Sequence, residues 1–395
     1  MKRFAAKYLY TLESTEPILD GFVEVDDDGT VLRTGKCADT ASEREYHDGA
    51  IVPGFVNTHC HIELSYMWKL FRKGTGMAGF IDQINALRDT KPLEEKLSDI
   101  SRWMDVLYGR GVSAMADISN CSDSFAIKAS SPIYTRTFLE VFGTEPEECE
   151  SVIKGVLALK EEADKAGIDA APTPHACYTM SPELVTASSA EGLKSGFLSF
   201  HSEETPEEEE MLKWGRGAMW DNRKAAGMST PPVTGKSSLL YFIDRLLKVH
   251  PAPFDEHILL VHEVCMDQEG IDAVKEVMNN AFIALCPLSN IYIHDALPPV
   301  PLMRKNGLSL TIGTDSLSSN DDLDIVKEMF CLQENFPEVP FGELLQWSSL
   351  NGAKFLSKED IFGSITPGKR PGIVLISNMD KEGKLTSASS SVRLL

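Results

Sequence analysis

Short apolar runs alternate with amphipathic stretches through most of the 395 residues. The runs at 50–57, 112–118, 133–142, 168–173, 196–201, 257–262, 281–286 and 308–314 have the length and composition of buried strands. After most of them the apolar period lengthens from two to about 3.6, the period of a helix. Helices are predicted over 147–166, 181–194, 237–249, 267–279 and 341–356. In the first, Val152, Val156, Leu159 and Ala163 form a stripe that would face a core. Eight strand–helix units predict an α/β chain, a (β/α)8 TIM-like barrel over 51–358. A doubly wound open sheet is the structural rival. The two ends of the chain read differently. The runs 22–25 and 30–32 flank the turn Asp26-Asp27-Asp28-Gly29, a hairpin signal, and another apolar run covers 373–376.

Composition is that of an ordinary globular protein, 43% hydrophobic and 25% charged. The net charge of −21 repels polyanions, so neither nucleic acid nor an acidic membrane is an expected partner. No apolar run has the length of a membrane span, and Lys7 interrupts the first apolar stretch before it could serve as a signal peptide. A cytoplasmic protein acting on a small-molecule substrate is the expectation, and a homodimer is compatible with it. The eight cysteines include no Cys-x-x-Cys pair and read as reduced, mostly buried thiols.

Chemistry gathers at strand ends. The first predicted strand runs into His59-Cys60-His61, the fourth into Pro174-His175 and the fifth into His201-Ser202-Glu203-Glu204. The sixth ends at His262 and the eighth at Asp315. In a barrel these C-terminal ends surround one mouth, whereas in an open sheet they would lie along a line. His47, His250, His257 and His294 have no such placement. Imidazoles with one carboxylate suit Zn²⁺ or Fe²⁺, and three His with one Asp leave a position for water. A proton carrier that is not a ligand is also needed, and Glu204 stands where it can reach over the site. Glu203 and the run 207–210 read as a solvated helix face.

These motifs resemble the amidohydrolase superfamily, in its mononuclear deaminase branch. The resemblance rests on Pro53-Gly54-Phe55-Val56-Asn57-Thr58-His59-Cys60-His61, Pro174-His175-Ala176-Cys177-Tyr178, His201-Ser202-Glu203-Glu204 and Gly313-Thr314-Asp315-Ser316. It implies one divalent transition metal, zinc or iron, held by His59, His61, His201 and Asp315. His262 would hold the water and help deprotonate it, and Glu204 would shuttle the proton. Asp315 would serve both as a ligand and in catalysis. The fourth strand ends without the lysine that bridges two metals in binuclear members. The resemblance also implies a small β-sandwich built from residues 1–50 and 359–395.

Within the branch, the stretch 206–235 and the sequence His61-Ile62-Glu63-Leu64-Ser65 are similar to those of aminodeoxyfutalosine, adenosylhomocysteine and methylthioadenosine deaminases. The implied reaction is hydrolytic release of ammonia from a 6-aminopurine nucleoside. The alternatives are a guanine deaminase, a triazine chlorohydrolase and a cyclic amidase of the imidazolonepropionase kind. Region 76–83 carries neither the Trp nor the ribose-binding Glu of the adenosylhomocysteine group. Expected substrate contacts are His175, Glu63, Glu140, Asn290 and Ser316, with Ser289 near the mouth and Trp214 and Trp220 as lid candidates.

Overall fold

A computed structural model describes residues 1–39, 44–88 and 90–395. Both chain ends contribute to one six-stranded sheet. Its strands are β1 (Lys2–Leu9), β2 (Ile18–Val25), β3 (Val31–Lys36), β4 (Glu45–Pro53), β13 (Ile373–Ser377) and β14 (Ser390–Arg393), in the order β14-β13-β4-β1-β2-β3. β2 and β3 form the expected hairpin, whose turn Asp26 closes by accepting the backbone N–H of Thr30 at 2.9 Å. The strands described at the chain ends make this single sheet, where a sandwich was expected.

The eight remaining strands are all parallel to their sheet neighbours and form two four-stranded sheets. One holds β5 (Phe55–Cys60), β6 (Val112–Ser119), β7 (Tyr134–Val141) and β8 (Asp169–Pro174). The other holds β9 (Phe197–Ser202), β10 (Phe254–His262), β11 (Met278–Leu285) and β12 (Ser309–Ile312). The first apolar run, 50–57, is divided between two layers: β4 ends at Pro53 in the terminal sheet, and β5 begins at Phe55. Gly54 makes the crossing, because a side chain there would meet the Pro371 carbonyl and the Ser113 side chain.

Alternate residues from both parallel sheets meet in one apolar cluster. Val56, Ala114, Ala116, Ile118 and Phe138 come from one sheet, and Leu259, Val261 and Ala284 from the other. This is the period-two pattern of strands that each bury one face against a common interior. Phe355, fully buried on the helix Asn351–Phe355, joins the cluster with its ring against Phe138, Phe197 and Phe282.

The sheets also touch at both edges. Thr314 and Asp315 donate their N–H groups to the His59 carbonyl, each at 3.0 Å, and Thr58 donates to Thr311 at 2.8 Å. On the other side His201 donates its N–H to the His175 carbonyl at 2.9 Å. Gly313 allows the first of these approaches, since a Cβ there would stand 2.7 Å from His59 Cβ. Helices Cys149–Lys165, Pro182–Leu193, Ser238–Leu246 and Gln268–Val277 follow the predicted stretches.

Candidate metal centre and substrate cavity

His59 and His61 lie two residues apart at the end of β5, so an extended backbone carries both imidazoles to the same side. Asp117 fixes the segment that follows by accepting the Ile62 N–H at 2.8 Å, and the buried Lys128 ammonium stands 2.5 Å from that carboxylate. His201 is the penultimate residue of β9 and Asp315 follows β12, held by its bond to the His59 carbonyl. The four side chains converge. His59 Nε2 lies 3.1 Å from Nε2 of both His61 and His201. Asp315 Oδ1 lies 3.7 Å from His59 Nε2 and 3.5 Å from His61 Nε2.

Such spacings suit donors bound to one cation at about 2.1 Å, which stand roughly 3.0–3.5 Å from each other. Direct hydrogen bonding explains them less well. His59 Nε2 has one lone pair or one N–H, and cannot serve two neighbouring imidazoles equally. The surrounding groups fix the donors' orientation. His201 Nδ1 faces the His175 carbonyl at 3.2 Å and Glu140 Oε1 at 3.3 Å, which leaves its Nε2 lone pair for an ion. Asp315 Oδ2 accepts from Ser289 at 2.6 Å and Ser319 at 2.9 Å. Burial disfavours the charged form of His59, His61 and His201 and lowers all three pKa values, which suits neutral ligands. Burial acts to raise the Asp315 carboxyl, but His61 and His59 overcome it and hold it well below the usual carboxylate range.

Glu204 lies beside this centre, buried, with Oε1 3.5 Å from His262 Nε2 and Oε2 accepting from the Tyr178 hydroxyl at 3.4 Å. Burial and then the Asp315 charge push its carboxyl well above the ordinary range, so it readily holds a proton. A capping arrangement sets its position. Thr205 Oγ1 accepts the Glu208 N–H at the start of helix Pro206–Trp214, and Glu208 reaches back to the Glu204 N–H at 2.8 Å.

Glu203 and the acidic run are therefore not a solvated face. Glu203 and Glu208 are buried, and burial raises them to about 7 and about 8. Glu207 accepts the Ala78 N–H at the start of helix Gly76–Leu87, and Glu209 accepts the Ser238 N–H. Of the run, Glu210 pairs at the surface with Arg216. The sequence signal Thr205-Pro206-Glu207-Glu208 was there to be read as a cap.

A cavity of about 180 Å³ opens beside these groups, and His61, His175, His201, Glu204, His262 and Asp315 all line it. Its facing wall is apolar, from Met77, Phe80, Ile81 and Ile84 of helix Gly76–Leu87. Four non-glycine residues at these strand ends, Glu203, His262, Glu263 and Asp315, have φ between 49° and 78°. That left-handed backbone is strained for any side chain, and such strain gathers at functional sites.

The sequence of residues 50–391 matches the model of the amidohydrolase family. The chain belongs to this family. A 5-methylthioadenosine/S-adenosylhomocysteine deaminase of Desulfitobacterium hafniense is 25% identical over 350 residues, 84% of this chain and 73% of that protein. The solved structure of Helicobacter pylori aminofutalosine deaminase in complex with methylthio-coformycin superposes with a TM-score of 0.79 at 22% identity, covering 98% of this chain and 94% of that one. The zinc-containing atrazine chlorohydrolase of Arthrobacter aurescens superposes at 0.71 with 16% identity, covering 95% and 86%.

For an amidohydrolase cavity, the expected substrate contacts divide. His175, Glu140 and Ser316 line it. His175 is kept neutral by burial and by His61, down to about 3, while its Nδ1 pairs with Thr179 at 2.7 Å. Glu63 does not line it. Both its oxygens accept the Asn120 N–H, at 2.9 and 3.0 Å, and it is Asn120 that borders the cavity and donates to Glu140. Asn290 likewise turns away, donating from Nδ2 to His262 Nδ1 at 3.0 Å. That contact engages His262 Nδ1 and leaves Nε2 facing Glu204 at 3.5 Å. Ser289 holds Asp315. Trp214, 55% exposed, packs with Arg216, and neither it nor Trp220 lines the cavity. Tyr178, Asn120 and Arg88 are cavity residues to which the sequence reading gave no role.

Proposed function

We infer that this amidohydrolase is a metal-dependent deaminase of 6-aminopurine nucleosides carrying a 5′ substituent. The observation that carries the reading is the convergence of His59, His61, His201 and Asp315 beside the buried Glu204–His262 pair. One zinc or iron ion held by those four residues would lower the pKa of a bound water towards about 7.

The chain's own groups do the rest. Glu204 receives the proton of the attacking water and passes it to the ring nitrogen next to the substituted carbon. It then takes the second proton from the added hydroxyl and gives it to the departing amine, so that ammonia leaves as the ring carbonyl forms. His262 holds the attacking water and helps to deprotonate it, and Asn290 orients the His262 ring through Nδ1. His175, held neutral by burial, offers a hydrogen bond to the purine.

In the same reading the two parallel sheets close into one (β/α)8 barrel over 51–358, supported by their shared core and their edge contacts. Residues 1–50 and 359–395 build the small β domain. The enzyme is cytoplasmic, and size-exclusion chromatography with light scattering tests whether it is a homodimer. Among the described residues no helix is long and apolar enough to cross a membrane.

The deciding experiment supplies zinc-loaded protein with aminodeoxyfutalosine, adenosylhomocysteine, methylthioadenosine, adenosine, adenine and guanine. It follows ammonia and the loss of the 6-amino chromophore. A 5′-substituted nucleoside should lead; guanine ahead by about tenfold in kcat/KM, roughly 1.4 kcal/mol, would reverse the assignment. Silence across the panel with metal bound would favour chlorohydrolysis or cyclic-amide opening.

A further inference from the structure

Arg223 stands on helix Ala218–Ala225, inside the 206–235 stretch whose two tryptophans stay out of the cavity. Its side chain is turned inward and is only 6% exposed. Burial lowers its pKa to about 10, so the guanidinium keeps its charge at neutral pH. One nitrogen is used: Nη1 donates to the Tyr178 carbonyl at 2.6 Å. Nε and Nη2 are buried and, among the described residues, have no hydrogen-bond partner. That edge of the fork is the one Arg304 lays on Glu343, Nε to Oε1 at 2.9 Å and Nη2 to Oε2 at 2.6 Å. An apolar side chain would fill the same space without the desolvation cost of a half-satisfied cation. The bond to Tyr178 is therefore what distinguishes an arginine at this position.

Resting on the deaminase reading, we propose that Arg223 is a positioning residue for proton transfer: by holding the Tyr178 carbonyl it sets the Tyr178 hydroxyl against Glu204. The backbone end of Tyr178 is held by Arg223, and its hydroxyl donates to Glu204 Oε2 at 3.4 Å. Between these ends the side chain has little freedom. Tyrosine turns about only two side-chain bonds, and this one is buried, with its ring centre 5.6 Å from that of His175 and its hydroxyl 3.8 Å from Met77 Sδ. A shift of the backbone is therefore carried to the hydroxyl. With Oε2 engaged by Tyr178, Oε1 is the oxygen that faces His262, at 3.5 Å, and is left to receive the proton of the water and hand it on. The 206–235 stretch thus reaches the proton carrier twice. Glu208, near its start, accepts the Glu204 N–H at 2.8 Å, and Arg223 acts further on through Tyr178. Glu145 anchors the same segment through Ser229, six residues after Arg223.

The test compares methylthioadenosine with its 6-chloro analogue on zinc-loaded wild type, Arg223→Met, Tyr178→Phe and the double variant. The amine leaves only with a proton carried by Glu204, whereas chloride leaves without one, so the ratio of the two kcat values reports that step. Arg223→Met and Tyr178→Phe should each lower the amine-to-chloride ratio by about tenfold, and the double variant should lower it no further. Taking the ratio within each enzyme removes any general loss of fold or metal. Arg223→Lys keeps a charge and a donor in the same space, so it serves as the milder variant. Its smaller loss should likewise vanish once Tyr178 is Phe. An unchanged ratio in Arg223→Met, or losses that multiply in the double variant, would overturn the proposal while leaving the deaminase reading intact. If zinc-loaded wild type releases no ammonia from methylthioadenosine or from the other nucleosides of the panel, the deaminase reading itself fails and the proposal with it.

Discussion

Glu204 is buried, carries a raised pKa and touches both Tyr178 and His262, so its loss should affect proton transfer without affecting folding. Glu204→Gln keeps the shape and should lower kcat by roughly 10²-fold or more while leaving metal content unchanged, measured by steady-state kinetics beside elemental analysis. Its neighbour Glu203 would be a poor control, because it is buried in a strained backbone. Glu210→Gln, at a surface ion pair, is the better one and should leave the rate unchanged. Elemental analysis of reconstituted protein should give about one metal per chain, since among the described residues every candidate donor group shares a member with the cluster of His59, His61, His201 and Asp315; a value near two would remove the mononuclear assignment. The convergence of His59, His61, His201 and Asp315 was legible in the sequence because each stands at or just past the C-terminal end of a strand, and strand ends can be read from hydrophobic period alone. Glu63 and Asn290 were misplaced for a related reason. A strand-end position says that a side chain is near the mouth, but not whether it turns to the cavity or to a neighbour's backbone. Arg88 escaped notice because it closes a helix, where an arginine is ordinary, and only the cavity distinguishes it.

Polar contacts tie down the segments around the site. Glu145, just after β7, accepts the N–H of Ser229 at 2.8 Å and its hydroxyl at 2.6 Å, tying down the segment that follows helix Ala218–Ala225. These bonds favour the carboxylate and lower its pKa from 4.5 to about 2. Because the folded value is depressed, the tether is at full strength above pH about 4.5 and is lost as pH falls towards 2. Glu145→Gln should weaken it at neutral pH, seen as faster hydrogen exchange or proteolysis within 226–236 and little change elsewhere. A different element holds the parallel sheets. Phe355 fills the shared core from outside the strands, so Phe355→Ala should cost about 3–5 kcal/mol by denaturant titration. The helices themselves were readable from their periodicity. The split of run 50–57 was not, because both halves are equally apolar and only the space at Gly54 separates the layers.

For the whole molecule, metal and fold should be linked. Four candidate donors from three separate strand ends come together only in the folded chain, so chelation should lower Tm and added zinc should restore it, rising with the logarithm of its free concentration. The same consideration of separation along the chain bears on β4. Its partner β13 pairs Ile373 with Pro53 and Ile376 with Ala50, so the strand must wait for some 320 residues before that edge is covered. At roughly 5–20 residues per second, the ribosome takes on the order of 16–60 s to deliver them. Through that interval a hydrophobic strand of Ala50, Ile51 and Val52 stands open beside β1, a template for any neighbouring nascent chain. Yield in a host should therefore depend on chaperones that shield early chains, and ribosome-bound chains halted before residue 373 should aggregate on release.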